Sequence, residues 1–408
     1  MTGKLASLAP IALALAACTV STSGAQCDGD ENCQTGQRCV GAAAGAPGSC
    51  QACTLPCPAG LTCGTGSGGQ EVCVCPLAGP VYYADAVGGS AAGSTNPPTG
   101  AQSPPACRFK SLQDALAAAS APGSVVKATG ASGTSMTFSV SGTLSVSPQV
   151  TLTSDAPACA AGKACTHLYA IAGSSAASTL IRLGAGATLS EFEVQGGSSA
   201  ANAVETNCGS NSGTVTILDV KVGGSSKTGV YHSGACPLLL QASTITGAAD
   251  SGIILDASSN AISATLTGNV VTKNNATSTH FISGSGYRAG GGMVVTSGAT
   301  SNAVVLAAHG NQFAGNYKDQ VLVFVGGNVS LAGGADPSAC TGTPVMSNYV
   351  GCYDTTSSPA GVGVSASAVG VDASWNQWPR DPPVSGTDYV GPVTAGSACT
   401  AGSTCPSP

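Results

Sequence analysis

The chain has 408 residues, of which only 8% are charged and 4% aromatic, with 57 glycines and a net charge of −6. Long helices need Glu, Lys, Leu and Arg on their exposed faces, and a nucleic-acid partner needs a basic surface, so both are excluded. Nineteen cysteines exclude a reducing cytosol. What remains is an all-β chain in an oxidising compartment, its short strands of β-branched and small residues joined by Gly-rich corners.

In chain order, Lys4 precedes an apolar run from Leu5 to Ala17, too short to span a bilayer and suited to a signal peptide over residues 1–17. The run ends on Leu15, Ala16, Ala17 and Cys18. This "LAAC" resembles the bacterial lipobox, which implies that Cys18 is lipidated, that 18–26 is anchor and linker, and that the protein is tethered to a membrane. Thr19 rather than an acid follows, which that resemblance associates with the outer membrane. The other reading is an ordinary signal peptide.

Nine cysteines then crowd between Cys27 and Cys75. This 27–76 segment has almost no apolar residues, so disulfides must hold it as a small module. Cys50 and Cys53 have zinc-ligand spacing, but no His lies nearby. Asp28, Asp30 and Asn32 open like a calcium loop, yet Cys33 stands where the loop glycine belongs and Cys39 where the bidentate Glu belongs. No metal or other cofactor is expected.

One helix is predicted, at about 111–120. Ser111 and Asp114 form a capping box, Leu112, Ala115, Leu116 and Ala119 mark one face, and Pro122-Gly123 stops it. Beyond it the chain repeats. Val194, Val222, Ile245, Val271 and Phe313 each stand in or before a small-residue corner, and new strands start at Gly229-Val230, Gly252-Ile253 and Gln320-Val321. The longest interval contains an excursion at about 275–290. Cys208 lies 14 residues after Val194 and Cys236 lies 14 after Val222. Equal offsets in consecutive rungs put the two about 4.8 Å apart, within disulfide reach, so a rung-to-rung bridge is predicted. By proximity alone, Cys159 would pair with Cys165, Cys340 with Cys352 and Cys399 with Cys405, leaving Cys107 for the small module.

The opening "VYYAD", a Gly/Ser/Pro loop and "FKSLQDAL" at 109–116 resemble the first segment of bacterial right-handed parallel β-helix proteins of the pectate-lyase-like type. "WNQW" at 375–378 is similar to their closing N-x-W-G motif, with Asn376 and Trp378 in place and Pro379 where the Gly would be. The resemblance implies a right-handed parallel β-helix over 77–398, plugged by the short helix, followed by a 399–408 disulfide tail.

Candidate site residues are few. Aligning Val194 with Val222 puts Glu191 on Asp219 and Glu193 on Lys221, and period-two alternation sends Phe192 and Val220 inward and the charges outward, as a patch on an outer sheet. Glu193 with Lys221 is a favourable pair. Glu191 beside Asp219 could be a catalytic acid pair of the kind that polysaccharide lyases or glycoside hydrolases of this fold carry. Against that, the next rung offers Ala242 and Thr244, the paired aspartates, Gly-His-Gly and Arg-x-Lys of those lyases are absent, and His309, His167, His232 and His280 are the only histidines. Asn269, Asn274, Asn311 and Asn316 suit turns. The solvated-face reading is therefore preferred. The expected role is non-catalytic binding of a polysaccharide or another envelope component, with enzymatic action at Glu191 and Asp219, or a purely structural spacer, as alternatives.

Overall fold

The computed structural model describes residues 26–27, 37–42, 46–54, 62–65, 71–74, 81–89, 108–130, 135–154, 167–173, 178–197, 201–208, 212–224, 227–275, 290–296, 304–317, 319–323, 327–331, 347–351, 362–366, 370–380, 382–396 and 399. Residues 1–17, expected to be a signal peptide, Cys18, Cys107, the cysteines of the expected Cys159–Cys165 and Cys340–Cys352 pairs, Cys405, His280 and nearly all of the 275–290 excursion lie outside them. Among the described residues no helix is long and apolar enough to cross a membrane.

The chain divides into two compact units, residues 1–74 and 75–408. In the first, the strand Gly48–Ala52 pairs antiparallel with both Gln26–Cys27 and Gln37–Val40, and Thr62–Thr65 pairs antiparallel with Glu71–Val74. Cys39 faces Cys50 across one pairing, and Cys63 faces Cys73 across the other. Cys39 and Cys50 are buried, and these two and Cys53 are in disulfides. Cysteine thus takes the place that apolar side chains hold in a larger core.

The second unit is built almost wholly of parallel strands in three sheets, of 11, 8 and 9 strands. Between the first strands and the last few, successive strands enter the three sheets in turn, so that a strand pairs with the third one before it and the third one after it. That is the topology of a solenoid. Its interior is three apolar columns, each in unbroken register and buried. The first sheet stacks Val126, Leu152, Leu189, Ile217, Leu240, Leu266 and Ala308. The second stacks Ile171, Val194, Val222, Ile245, Val271, Phe313 and Val350. The third stacks Ile181, Val204, Val230, Ile253, Met293, Val321 and Val364. The repeat read from Val194, Val222, Ile245, Val271 and Phe313 is therefore the inner row of the second sheet.

The helix spans Leu112–Ala118, with Ser111 as its N-cap accepting from the Asp114 N–H at 3.0 Å. Leu112, Ala115 and Leu116 are buried against the first-rung strands Val81–Ala84, Val125–Ala128 and Leu144–Val146, so the helix closes that end of the core. Near the other end Trp378 is fully buried, its ring centroid 6.2 Å from that of Tyr389.

Cys208 and Cys236 are bonded, their Cα atoms 5.6 Å apart and 28 residues apart in sequence. The bridge staples consecutive rungs where the chain passes from the third sheet to the first. Gly234 leaves it room, since a Cβ there would collide with the Cys208 sulfur. Cys399 is also in a disulfide.

Two corner columns explain the turns. Between the first and second sheets, one residue per rung has left-handed backbone: Glu191 (φ 64), Asp219 (φ 51), Ala242 (φ 50), Gly268 (φ 65), Gly310 (φ 62) and, near the end, Trp375 (φ 57). The next residue in each rung turns inward: Phe192, Val220, Ser243, Asn269, Asn311 and Asn376, all buried. Asn348 stacks between Asn311 and Asn376, and Asn269, Asn311, Asn348 and Asn376 form a ladder. The Oδ1 of Asn311, of Asn348 and of Asn376 accepts the backbone N–H and side-chain amide of the Asn one rung back, at 2.8–3.1 Å, and that of Asn269 accepts the Ser243 N–H at 2.9 Å. Each Nδ2 also donates to backbone carbonyls, such as Leu266 O from Asn311. A shorter ladder of Asn274, Asn316 and Gln320 fills the corner between the second and third sheets.

Candidate functional site

The outward patch expected around Glu191 and Asp219 separates in the structure into two unlike parts. Glu193 and Lys221 do face each other in the second sheet, with Nζ 3.1 Å from Oε1. Glu191 and Asp219, by contrast, are not on a sheet face. They occupy the left-handed corner, linked through backbone by Glu191 N–H donating to Asp219 O at 3.0 Å. Because Ala242, Gly268 and Gly310 adopt the same conformation, the positive φ belongs to the corner and marks no special strain at the acids.

Their side chains are engaged by neighbours. The Thr153 hydroxyl donates to Glu191 Oε2 at 3.2 Å and itself accepts from Ser190 at 2.8 Å, while Ser154 donates to Glu191 O at 3.1 Å. His167, one of the four histidines counted against a catalytic reading, reaches across two rungs. Its Nε2–H donates to Asp219 O at 2.8 Å and lies 3.6 Å from Oδ1. The ring is nearly buried, so it lies against Asp219 rather than leaving it open to a groove.

Of the other histidines, His232 points into the solenoid, between Thr206 and Leu255 in the stack. It is fully buried, with Nδ1 2.7 Å from the Thr206 hydroxyl and no partner at Nε2. Burial pushes its pKa down to about 4. It is an internal group and faces no ligand.

A more coherent polar surface lies on the outer face of the third sheet, where sequence reading placed nothing. Arg182, Glu205 and Tyr231 stand directly above one another in three consecutive rungs, each flanked by buried, inward residues. At about 4.8 Å per rung they form one row. Arg182 Nε lies 3.4 Å from Glu205 Oε1. Glu205 Oε2 accepts from the Thr179 hydroxyl and, at 3.3 Å, from the Asn202 amide. The Tyr231 hydroxyl donates to Asp256 Oδ2 at 2.7 Å, and Asp256 Oδ1 accepts from the Ser258 N–H at 2.9 Å and from its hydroxyl. Desolvation, then the hydrogen bond and charge of Asp256, push the Tyr231 pKa up to about 12. All four side chains of this strip are only partly buried.

In the following rungs the row continues as Ile254, Val294 and Leu322. Val294 and Leu322 face away from the interior and stand outside the main core cluster, yet both are buried. The polar strip thus ends against a covered apolar stretch of the same sheet. Among the described residues no group of three or more His, Cys, Asp or Glu could hold a metal ion. Comparison of the chain with protein-family models, with curated proteins and with solved structures returned no match.

The strip was hidden because the third sheet's offset varies: Glu205 lies 11 residues after Val194, but Tyr231 lies nine after Val222 and Ile254 nine after Ile245. The usable signal was the pair of strand starts Gly229-Val230 and Gly252-Ile253, which already placed Tyr231 and Ile254 in one outward row.

Proposed function

We propose that the chain is a lipid-anchored envelope protein whose parallel solenoid, a β-helix of the right-handed type, binds polysaccharide without cleaving it. The binding face is the third sheet's strip of Arg182, Glu205, Tyr231 and Asp256. The observation that carries this reading is the row itself: donors, acceptors and one aromatic ring in register along the solenoid axis, open to solvent and bounded at one end. A polymer laid along the axis meets repeating partners at each rung, and the tyrosine ring offers a face on which a sugar can stack. The anchor at Cys18 and an outer-membrane location belong to the same proposal, resting on the lipobox resemblance.

The second reading is a polysaccharide lyase or glycoside hydrolase acting at Glu191 and Asp219, and the His167 contact to Asp219 is what favours it. Incubating the full chain with a panel of neutral, acidic and amino polysaccharides, and following both retention and release of reducing or unsaturated ends, separates the two. The expected result is retention without release, weakened at least tenfold by the double change Arg182→Ala and Tyr231→Ala and unaltered by Glu191→Gln with Asp219→Asn. End release that vanishes in the latter pair would replace this reading with the enzymatic one.

A further inference from the structure

Resting on that reading, we infer that the strip's ligand carries positive charge: a polysaccharide with free amino groups, such as a deacetylated hexosamine polymer, rather than a polyuronate. The charges of the row decide this. Arg182 sits against Glu205, so each largely cancels the other's charge. Among the described residues the partners of Asp256 are neutral, the Tyr231 hydroxyl and the N–H and hydroxyl of Ser258, and none of them carries a charge to offset its own. Desolvation first, then the hydrogen bond and charge of Asp256 and, more weakly, the charge of Glu205, hold the Tyr231 hydroxyl in its neutral, donating form beside that carboxylate. With 13 Lys and Arg against 19 Asp and Glu, the chain as a whole also repels polyanions.

Glu205 and Tyr231 stand in consecutive rungs, and Asp256 follows one rung further and two residues along its strand. An ammonium group held by Asp256 would leave the neighbouring sugar over Tyr231 and the next within reach of Glu205. A charge-assisted contact of this kind is roughly twice as strong as a neutral one. A uronate carboxylate in the same place would meet Asp256 with like charge.

The test is retention of the full chain on beads of a β-linked glucosamine polymer, its N-acetylated form and a polygalacturonate, across a salt series at pH 6. Preferential retention on the glucosamine polymer is expected, weakened at least tenfold by Asp256→Asn with Glu205→Gln. Removing the same charge elsewhere, by Asp372→Asn with Glu193→Gln, should leave it within about twofold. Equal loss in both double variants would mean non-specific attraction of a polycation to an acidic protein and would overturn the inference. So would strip-dependent binding that is equally tight on the N-acetylated polymer, although the binding face itself would then stand. Binding to none of the three, or binding indifferent to Tyr231→Ala, would overturn both.

Discussion

The two halves of the solenoid solve the same geometric problem with different chemistry. In the rungs up to Asp256, the inward corner residues after the left-handed position are Phe192, Val220 and then Ser243, whose N–H donates to the first asparagine of the ladder, the rungs are stapled by Cys208–Cys236, and His232 with Thr206 sits inside. From Asn269 onward the same corner is an asparagine ladder, and a second ladder runs beside it. The outer face of the third sheet changes in step, from the polar strip to the covered Val294 and Leu322. The lesson concerns where polar residues matter. The ladder asparagines are many and buried, but they satisfy one another and the backbone, leaving nothing for a ligand. The strip residues are few, and their groups face outward.

Breaking the ladder should be the most damaging change. Asn311→Ala removes the acceptor of the Asn269 N–H and amide and the donor to Leu266 O and Asn348. Leaving several buried groups unpaired costs on the order of 4 kcal/mol. Denaturant unfolding should show it, and hydrogen exchange should show lost protection centred on the C-terminal rungs. If protection falls equally in the rungs of Phe192 and Val220, the two halves are one cooperative unit and the contrast is only chemical.

In the N-terminal half, Cys208→Ser with Cys236→Ser should cost about 3.5 kcal/mol by loop-closure entropy across 28 residues. A loss under 1 kcal/mol in denaturant titration would mean that the apolar corners hold these rungs unaided.

The interior histidine gives this half a pH dependence of its own. His232 has a folded pKa near 4 against 6.5 unfolded. Between those values the unfolded chain binds a proton that the folded chain does not, so stability falls as pH drops through 6.5 toward 4. The loss should reach roughly 3 kcal/mol below pH 4. Thermal melts from pH 7.5 to 3.5 should show it, and His232→Leu should flatten that part of the profile; an unchanged slope would place the acid sensitivity elsewhere.

The smallest effect tests the corner they share. Ala242→Gly relieves a left-handed backbone costing about 1–2 kcal/mol, offset by about 0.5–1 kcal/mol of glycine entropy. A gain of about 0.5–1 kcal/mol is expected in melting experiments. A loss would mean that the alanine methyl makes contacts worth more than the strain.

The all-β class, the capped helix, the inner row from Val194 to Phe313 and the Cys208–Cys236 bridge were legible in the residues alone. Each follows from short-range rules: a helix needs its cap three residues away, and a rung repeat places equal offsets side by side. Whether Glu191 lies on a sheet or at a corner was less legible, because Glu191, Phe192, Glu193 and Val194 alternate as a strand would. The overlooked clue is the three-residue step between inward residues, Leu189 to Phe192 and Ile217 to Val220, with Gly268 and Gly310 repeating in the same column. Only the tertiary structure could decide the rest. His167 meets Asp219 across 52 residues, and Arg182, Glu205, Tyr231 and Asp256 meet across 74, because coiling converts variable chain lengths into one fixed rung spacing. The physical cause is the backbone: hydrogen bonds between parallel strands set each rung's register locally, whatever length of chain the intervening corners consume.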